Sequence, residues 1–209
     1  MNKIEEKVLA LALKHTPSVE VLYDEGETRS VSFENNKLKY VNTKSIRGIG
    51  LRVIKDGRIG FSSTTDFRKP EKLVANAIES AKFGQTAAFE FPPKKNFPKV
   101  AIFDQGVVDY PIHKCVDIGK EAIKKALSVN SSYECSIGMG KGHGMRRLIN
   151  SKGLDISIDS TSFGIGIEIL EVKGHSLLCI GEGESSRGLV TNLNKHVDKA
   201  LKDLKLAQK

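Results

Sequence analysis

The sequence has no tryptophan, only 6% aromatic residues, and three cysteines among 209 residues. So few aromatics leave little with which to build a stacking platform for single-stranded nucleic acid. Cys115, Cys135 and Cys179 are an odd, widely spaced set without a C-x-x-C pair. They fit a reducing cytoplasm, with the thiols acting as small buried hydrophobes. No apolar run approaches the roughly 18 residues a membrane-spanning helix needs, which argues against a helical membrane anchor. The opening stretch MNKIEEKVLALALKHTP mixes Glu5, Glu6 and Lys7 with Ile4, Val8, Leu11 and Ala12 at helical spacing. That pattern is an amphipathic helix and not a signal peptide.

Other absences bear on chemistry. There is no G-K-[ST], hence no P-loop, and no H-E pair anywhere. None of His15, His113, His143, His175 and His196 sits in H-E-x-x-H or in an H-x₃₋₅-H pair. No Ser–His–Asp order or paired-carboxylate motif stands out. The sequence therefore points to no catalytic residue, metal ligand or cofactor site, leaving only a metal site assembled from distant residues as an alternative. What it has in excess is positive charge, with a formal net charge of +8. Such a charge suits nucleic acid or an anionic surface, but a solvated lysine-rich surface gives the same number.

The pattern along the chain predicts an α+β fold, with curved antiparallel sheet packed on helices. After the first helix, VEVLYDE reads as a strand. TRSVSFENNKLKYVNTK reads as a hairpin around Asn35-Asn36, and IRGIGLRVIKDGRIGFSST as another around Asp56-Gly57. A helix from about Pro70 to Lys82 follows. Residues 84–107 hold three of the six prolines with little periodicity and read as a linker. Beyond it come a helix with Ile112, Val116, Ala122, Ile123 and Ala126 on one stripe, strands from Tyr133 to about Gly183, and a closing helix from about Leu189 to Lys205. The order helix–meander–helix thus occurs twice, in sub-halves 1–83 and 108–209 of a single domain 1–209, which suggests an internal duplication. ENNKLKYVNTKSIRGIGLRV lies against INSKGLDISIDSTSFGIGIEI, with an Asn turn ahead of each G-I-G.

Glycine is the densest local signal. In IGMGKGHGM, Gly138, Gly140, Gly142 and Gly144 alternate with Met139, Lys141 and His143. The spacing fails G-x-G-x-x-G, and the following RRLINSKGL offers no helix N-terminus to hold a phosphate. In a strand the period of two places all four glycines on one face. A face without side chains lets another backbone, usually a helix, come close. Gly48/Gly50 and Gly164/Gly166 repeat the device, so these glycines read as structural.

Two polar features remain. Ser62, Ser63, Thr64 and Asp66, with Arg52 one hairpin arm away, are candidate peptide or interface contacts. The plainer reading is a strand end turning into a helix, with Thr65 or Asp66 near its N-cap. The last helix sets Leu193, Val197, Ala200, Leu204 and Ala207 against a stripe of Lys195, Lys199, Lys202, Lys205 and Lys209. That stripe is a surface for an acidic partner or for lipid, or simply the wet side of a packed helix.

The stretch Gly48 to Asp66, with G-x-G-L-R-V, D-G-R-x-G-F and S-S-T-x-D, resembles the N-terminal region of the TldD/PmbA family, as does NSKGL at Asn150 to Leu154. Members were once named modulators of DNA gyrase and are metalloprotease-related. Order and spacing agree from about Val19 to Ile169, and the longer insert between the halves is closer to the PmbA branch. The resemblance implies an N-terminal α/β region of a cytoplasmic peptidase about twice this length. Zinc, in the TldD branch, is held by an H-E-x-x-x-H helix of the second part, absent here. A non-catalytic scaffold and substrate-cleft domain is the function implied, inactive alone and either a fragment or a stand-alone domain. Its partners would be the family's C-terminal half or a TldD/PmbA-type subunit, as a homo- or heterodimer, and a peptide substrate. A basic nucleic-acid or gyrase-associated module is the alternative.

Overall fold

The computed structural model describes residues 3–208. The element order is α1 (Ile4–Ala12), β1 (Ser18–Glu34), β2 (Lys37–Lys55), β3 (Arg58–Thr64), α2 (Pro70–Ala81), α3 (Gln105–Asp109), α4 (Ile112–Val129), β4 (Glu134–Asn150), β5 (Asp155–Lys173), β6 (Ser176–Ser186) and α5 (Leu193–Ala207). Helices beside a six-stranded sheet of order β3-β2-β1-β4-β5-β6 make this an α+β fold, as the sequence pattern requires.

Both tight turns of the first meander form where two adjacent residues accept left-handed backbone. Asn35 and Asn36 have φ of 47° and 66°, Asp56 and Gly57 of 51° and 73°. This twist matches that of the strands they join. The sequence reading broke the first meander into one strand and two hairpins, but nothing at Gly26 or Ser45 interrupts the alternation. VEVLYDE and SVSFE are one strand of 17 residues, and the two runs of β2 are one of 19.

By its contacts the chain forms two compact units that cut across the sequential sub-halves 1–83 and 108–209. One comprises Met1–Gly26, Ser45–Ala101 and Gly144–Asp159; the other comprises Glu27–Lys44, Ile102–His143 and Ser160–Lys209. The four long strands contribute to both.

In the first unit, Val19, Val21, Ile49, Leu51, Val53 and Ile149 share a core with Val8 and Ala12 of α1 and with Leu73, Val74, Ala77 and Ala81 of α2. The strand residues are all odd-numbered, so one sheet face is buried beneath the helices. Gly60 of β3 permits the approach of α2, since a Cβ there would lie 2.1 Å from the Ala77 carbonyl oxygen. Helix α1 is fixed by charge as well as by packing. Arg147 donates to Glu5 at 2.7 Å, to Glu6 at 3.0 Å and to Asp155 at 2.8 Å, and Glu5 is buried. Paired this way, the Asp155 carboxyl sits below the usual carboxylate range.

The supposed linker is part of this unit up to residue 101. Its backbone is irregular but tied down: Ala87 N–H donates to Gly57 O at 2.8 Å, and Asn150 Nδ2 donates to Pro92 O at 2.8 Å. The last residues read as linker begin α3, started by Asp104, whose carboxylate accepts from the Gly106 N–H at 2.8 Å. Five residues are too few to show a period.

In the second unit, α4 and α5 cover Phe33, Cys135, Ile137, Met139 and the odd residues Phe163 to Ile169. Gly119 of α4 makes room for Phe33, whose ring would lie 2.3 Å from a Cβ there. Buried Lys141 donates to the carbonyls of Val107 at 3.1 Å and Val108 at 2.5 Å, placing its cation at the C-terminal end of α3. Burial pushes its pKa down. Helix α5 begins at Leu193, later than expected, with Asn192 as its cap. Its Leu193, Val197, Ala200 and Leu204 are buried, Ala207 is exposed, and Lys199 of the lysine stripe pairs with Glu182 at 2.6 Å. Lys209, the last of that stripe, lies outside the described residues.

The glycine strand is β4, but the expected helix lies on its other face. Met139 and Lys141 are buried on the helix side, while Gly142 is buried on the opposite face. A covering helix needs apolar side chains to interdigitate with, and the glycine face has none. What approaches the glycines is backbone and side chains of neighbouring strands: Gly144 faces the Glu25 carbonyl oxygen at 2.7 Å from a built Cβ, Gly140 the Arg29 carbonyl oxygen at 3.2 Å, and Gly142 the Ser162 hydroxyl at 2.9 Å. Gly138 meets nothing within 4 Å.

The same correction applies to Gly48 and Gly50 of β2 and to Gly164 and Gly166 of β5. Their odd-numbered neighbours take the helix side, so these four glycines face away from the helices and admit none. Nor is any of them sterically required. A Cβ would lie 3.7 Å from the Thr64 carbonyl oxygen at Gly48 and 3.6 Å from the Phe61 ring at Gly50. At Gly164 it would lie 3.8 Å from Ser185 Cβ, and at Gly166 3.5 Å from the Glu182 carbonyl oxygen. These are ordinary van der Waals distances. Gly166 pairs with Gly183 across the β5–β6 ladder, and the crowding falls on the latter. A Cβ at Gly183 would come within 2.7 Å of the Ile165 carbonyl oxygen and 2.9 Å of Gly166 Cα.

Gly60→Ala is expected to cost about 1–3 kcal/mol through overpacking against α2, while Gly138→Ala should melt with the parent in urea. Equal midpoints for the two variants would contradict this placement of α2. Burial pushes the thiols of Cys115 and Cys135 up to about 11. In the native chain a thiol reagent at neutral pH should therefore label exposed Cys179 and reach the other two only on unfolding.

Candidate functional site

The first unit carries a groove of about 850 Å³ on the sheet face opposite its helices. Because odd-numbered residues of β1 and β2 are buried, even-numbered ones come up on this side: Glu20, Leu22 and Asp24 from β1, and Gly48, Gly50 and Arg52 from β2. In the β2–β3 ladder Arg52 lies opposite Phe61 and Gly50 opposite Ser63. Directly paired residues share a face, so Phe61 and Ser63 belong to the groove. Gly50 keeps the floor low beside the Phe61 ring, which is 59% exposed. A large aromatic surface is thus held open to solvent above a floor of bare backbone.

Arg52 is held on two sides. Its Nη2 donates to Glu20 Oε1 at 2.5 Å, and its guanidinium stands 5.3 Å from the ring centres of both Phe89 and Phe91. The two rings pack edge to face at 5.9 Å, and Phe91 is buried. With the Arg52 side chain still 43% open to solvent, such a cation–aromatic contact is worth about 0.5–1 kcal/mol. Further along the same strand, Asp24 is engaged by Arg146 at 2.6 Å. Both carboxylates on the groove are therefore paired with arginine, an arrangement that orients charge and leaves neither as a free base.

Of the residues singled out from sequence, Arg52, Ser63 and Thr64 line this groove. The strand pleat turns Ser62 to the helix side, where it pairs with Leu51. Ser62, Ser63, Thr64 and Asp66 nevertheless come together around a second hollow of about 250 Å³, beside Lys69 and Lys72. Asp66 is not the N-cap of α2, a position Lys69 occupies. Instead its carboxylate accepts from Arg68 N at 3.1 Å, Nε at 2.8 Å and Nη2 at 2.8 Å, and these bonds hold its carboxyl well below the usual range. Phe61, Glu20, Phe89 and Phe91 escaped the sequence reading. The period-two run from Phe61 to Ser63 could have drawn in the first. Nothing local points to the others.

The residues present do not fit a zinc centre. Among the described residues no three His, Cys, Asp or Glu side chains are placed to hold a metal ion, and the three carboxylates that do gather, Glu5, Glu6 and Asp155, are taken by Arg147.

Residues 19–81 match the family model described as PmbA/TldA metallopeptidase domain 1. An uncharacterized protein of Methanocaldococcus jannaschii is 30% identical over 165 residues, which are 79% of this chain and 39% of that protein. Among solved structures, TldE from Thermococcus kodakarensis superposes with a TM-score of 0.87 at 19% identity, covering 97% of this chain and 47% of that one. A protein from Bacteroides thetaiotaomicron, named as a proposed modulator of DNA gyrase, gives 0.85 at 18% identity, with coverages of 97% and 48%. Another of that name from Thermotoga maritima gives 0.79 at 17%, with coverages of 97% and 47%. The chain spans about half the length of these structures and 39% of the curated relative.

Removing Arg52 leaves the nearly buried Glu20 carboxylate without its partner. Arg52→Ala should lower stability by about 1–3 kcal/mol. With Glu20→Gln in a double-mutant cycle, the two changes should fall short of additivity by about 0.5–3 kcal/mol. Strict additivity in denaturant unfolding would show that the pair does not interact.

Proposed function

We propose that this chain, the N-terminal domain of a TldD/PmbA-family protein, forms a non-catalytic wall of the peptide cleft in a peptidase of that family. The observation that supports this most is the open groove of the first unit, with its exposed Phe61, its glycine floor and its anchored Arg52. An extended peptide laid over Gly48 and Gly50 could bring its backbone close to the sheet. An apolar side chain would then rest on Phe61, and Arg52 would offer its remaining donors to a carbonyl or carboxylate. Catalysis is assigned to a partner, either the family's second part or a TldD/PmbA-type subunit in a homo- or heterodimer. Any zinc would be held there, since the donor set of this chain does not suit it. The longer insert between the halves favours the PmbA branch, and free thiols, two of them buried, suit the cytoplasm.

A second reading, a DNA- or gyrase-associated module, is favoured by the net charge of +8 and by the names of two structural relatives. Against it, Arg52 in the groove is already paired with Glu20, and the groove also carries Asp24, paired with Arg146.

Alone, with or without zinc, the chain should not cleave unfolded peptides. Combined with its catalytic partner, Phe61→Asp or Gly50→Val should raise KM several-fold and leave kcat nearly unchanged, as expected for lost ground-state binding. Cleavage by the isolated chain, or a fall in kcat with KM fixed, would overturn the assignment. Tight DNA binding that weakens steeply with salt would favour the second reading.

A further inference from the structure

The outer edge of β2 is covered by β3 only from Ile49 to Lys55. In the second unit, where β2 contributes residues 37–44, it is therefore the last strand on its side. All eight residues are exposed. Leu38, Tyr40 and Val41 stand 44%, 47% and 48% open to solvent, so apolar surface is presented on both faces of the strand. At every second residue the peptide group points away from β1 with no strand beside it. The charge is of one sign: Lys37, Lys39 and Lys44, with no acidic residue between them. Lys39 pairs with Glu34 of β1. Among the described residues, Lys37 and Lys44 reach no carboxylate.

We propose that this edge binds an acidic, extended segment of a partner protein, which adds as a further strand beside β2. Backbone hydrogen bonds would supply register and much of the affinity. The lysines would select acidic residues across the pair, and Leu38, Tyr40 and Val41 would contact apolar neighbours. Eight residues give a contact line of roughly 27 Å. Two other occupants fit worse. A second copy pairing through the same edge would oppose lysine to lysine, which is destabilising. A nucleic acid would satisfy the lysines but would set phosphate oxygens against the outward carbonyls, leaving these acceptors without donors. The edge uses different residues from the peptide groove and lies in the other unit, so the two assignments stand or fall separately.

The test uses the full chain and a fluorescein-labelled decapeptide of alternating Glu and Thr, followed by anisotropy. The expected result is saturable binding, with at least tenfold weaker binding by the same peptide N-methylated at alternate amides and by a Lys-Thr counterpart. The triple variant K37E/K39E/K44E should lose the Glu-Thr peptide and retain the parent's far-ultraviolet circular dichroism. Hydrogen exchange of the unaltered chain should slow at residues 37–44 when the peptide is present, a readout that serves even if the variant misfolds. Equal binding of the methylated peptide would reduce the effect to charge alone and overturn strand addition. So would unchanged exchange at residues 37–44, or tighter binding of a 20-base-pair duplex abolished by the same variant.

Discussion

A strand can bury only every second side chain, and the arrangement of this protein follows from keeping that alternation in step over very long strands. Val19 and Val21 in one unit and Val31 and Phe33 in the other are buried residues of the same strand, all odd-numbered. β2 and β4 follow the same parity, with Ile49 to Val53 and with Cys135 to Met139 and Ile149. Slipping any of these strands by one residue would turn its apolar set to water. The step is kept by two-residue turns whose length cannot vary, and by Asn36. Its Oδ1 accepts from Cys135 N–H at 2.8 Å and its Nδ2 donates to Tyr133 O at 2.8 Å, locking the start of β4 to the end of β1.

The same parity produces the groove. Once the odd residues are committed to the helices, glycines at 48 and 50 and Arg52 must emerge on the opposite side. The polar anchors beneath the helices follow another rule. Arg147 with its three carboxylates, and Lys141 on the end of α3, are cations taken largely out of water. Each is tolerated because its donors are met by carboxylates or carbonyls. They add specificity to the docking of α1, which also packs Val8 and Ala12 into the core, and of the five-residue α3.

What was legible in the sequence was local. The Asn35-Asn36 and Asp56-Gly57 turns, the stripe of α2 and the order of elements all rest on neighbours within a few residues. The family resemblance rested on the same local stretches. The parity of the glycines, from Gly48 and Gly50 to Gly164 and Gly166, was legible too. Which face the helices would choose was not, because that depends on apolar residues gathered from four strands. Arg52 was singled out without its partners: Glu20 lies 32 residues away, and Phe89 and Phe91 sit in a segment whose prolines disguise its packing. Ser62, Ser63, Thr64 and Asp66 were legible as one cluster and share a hollow, but that Ser63 and Thr64 also reach the groove depends on partners in other strands.

The pairing of β1 with β4 bears on how the chain reaches its native state. Val19 N–H meets Ser151 Oγ across 132 positions, and Asn36 meets Cys135 across 99. Loops of that size make the central ladder a late, entropically costly closure, and they place the domain among slow folders. During synthesis β1 can pair early with β2, but the chain from Thr64 to Glu134 must follow before β4 appears on its other side. For that interval β1 is a long unpaired edge with Val31 and Phe33 uncovered. A nascent chain in this condition is exposed to mispairing with others of its kind.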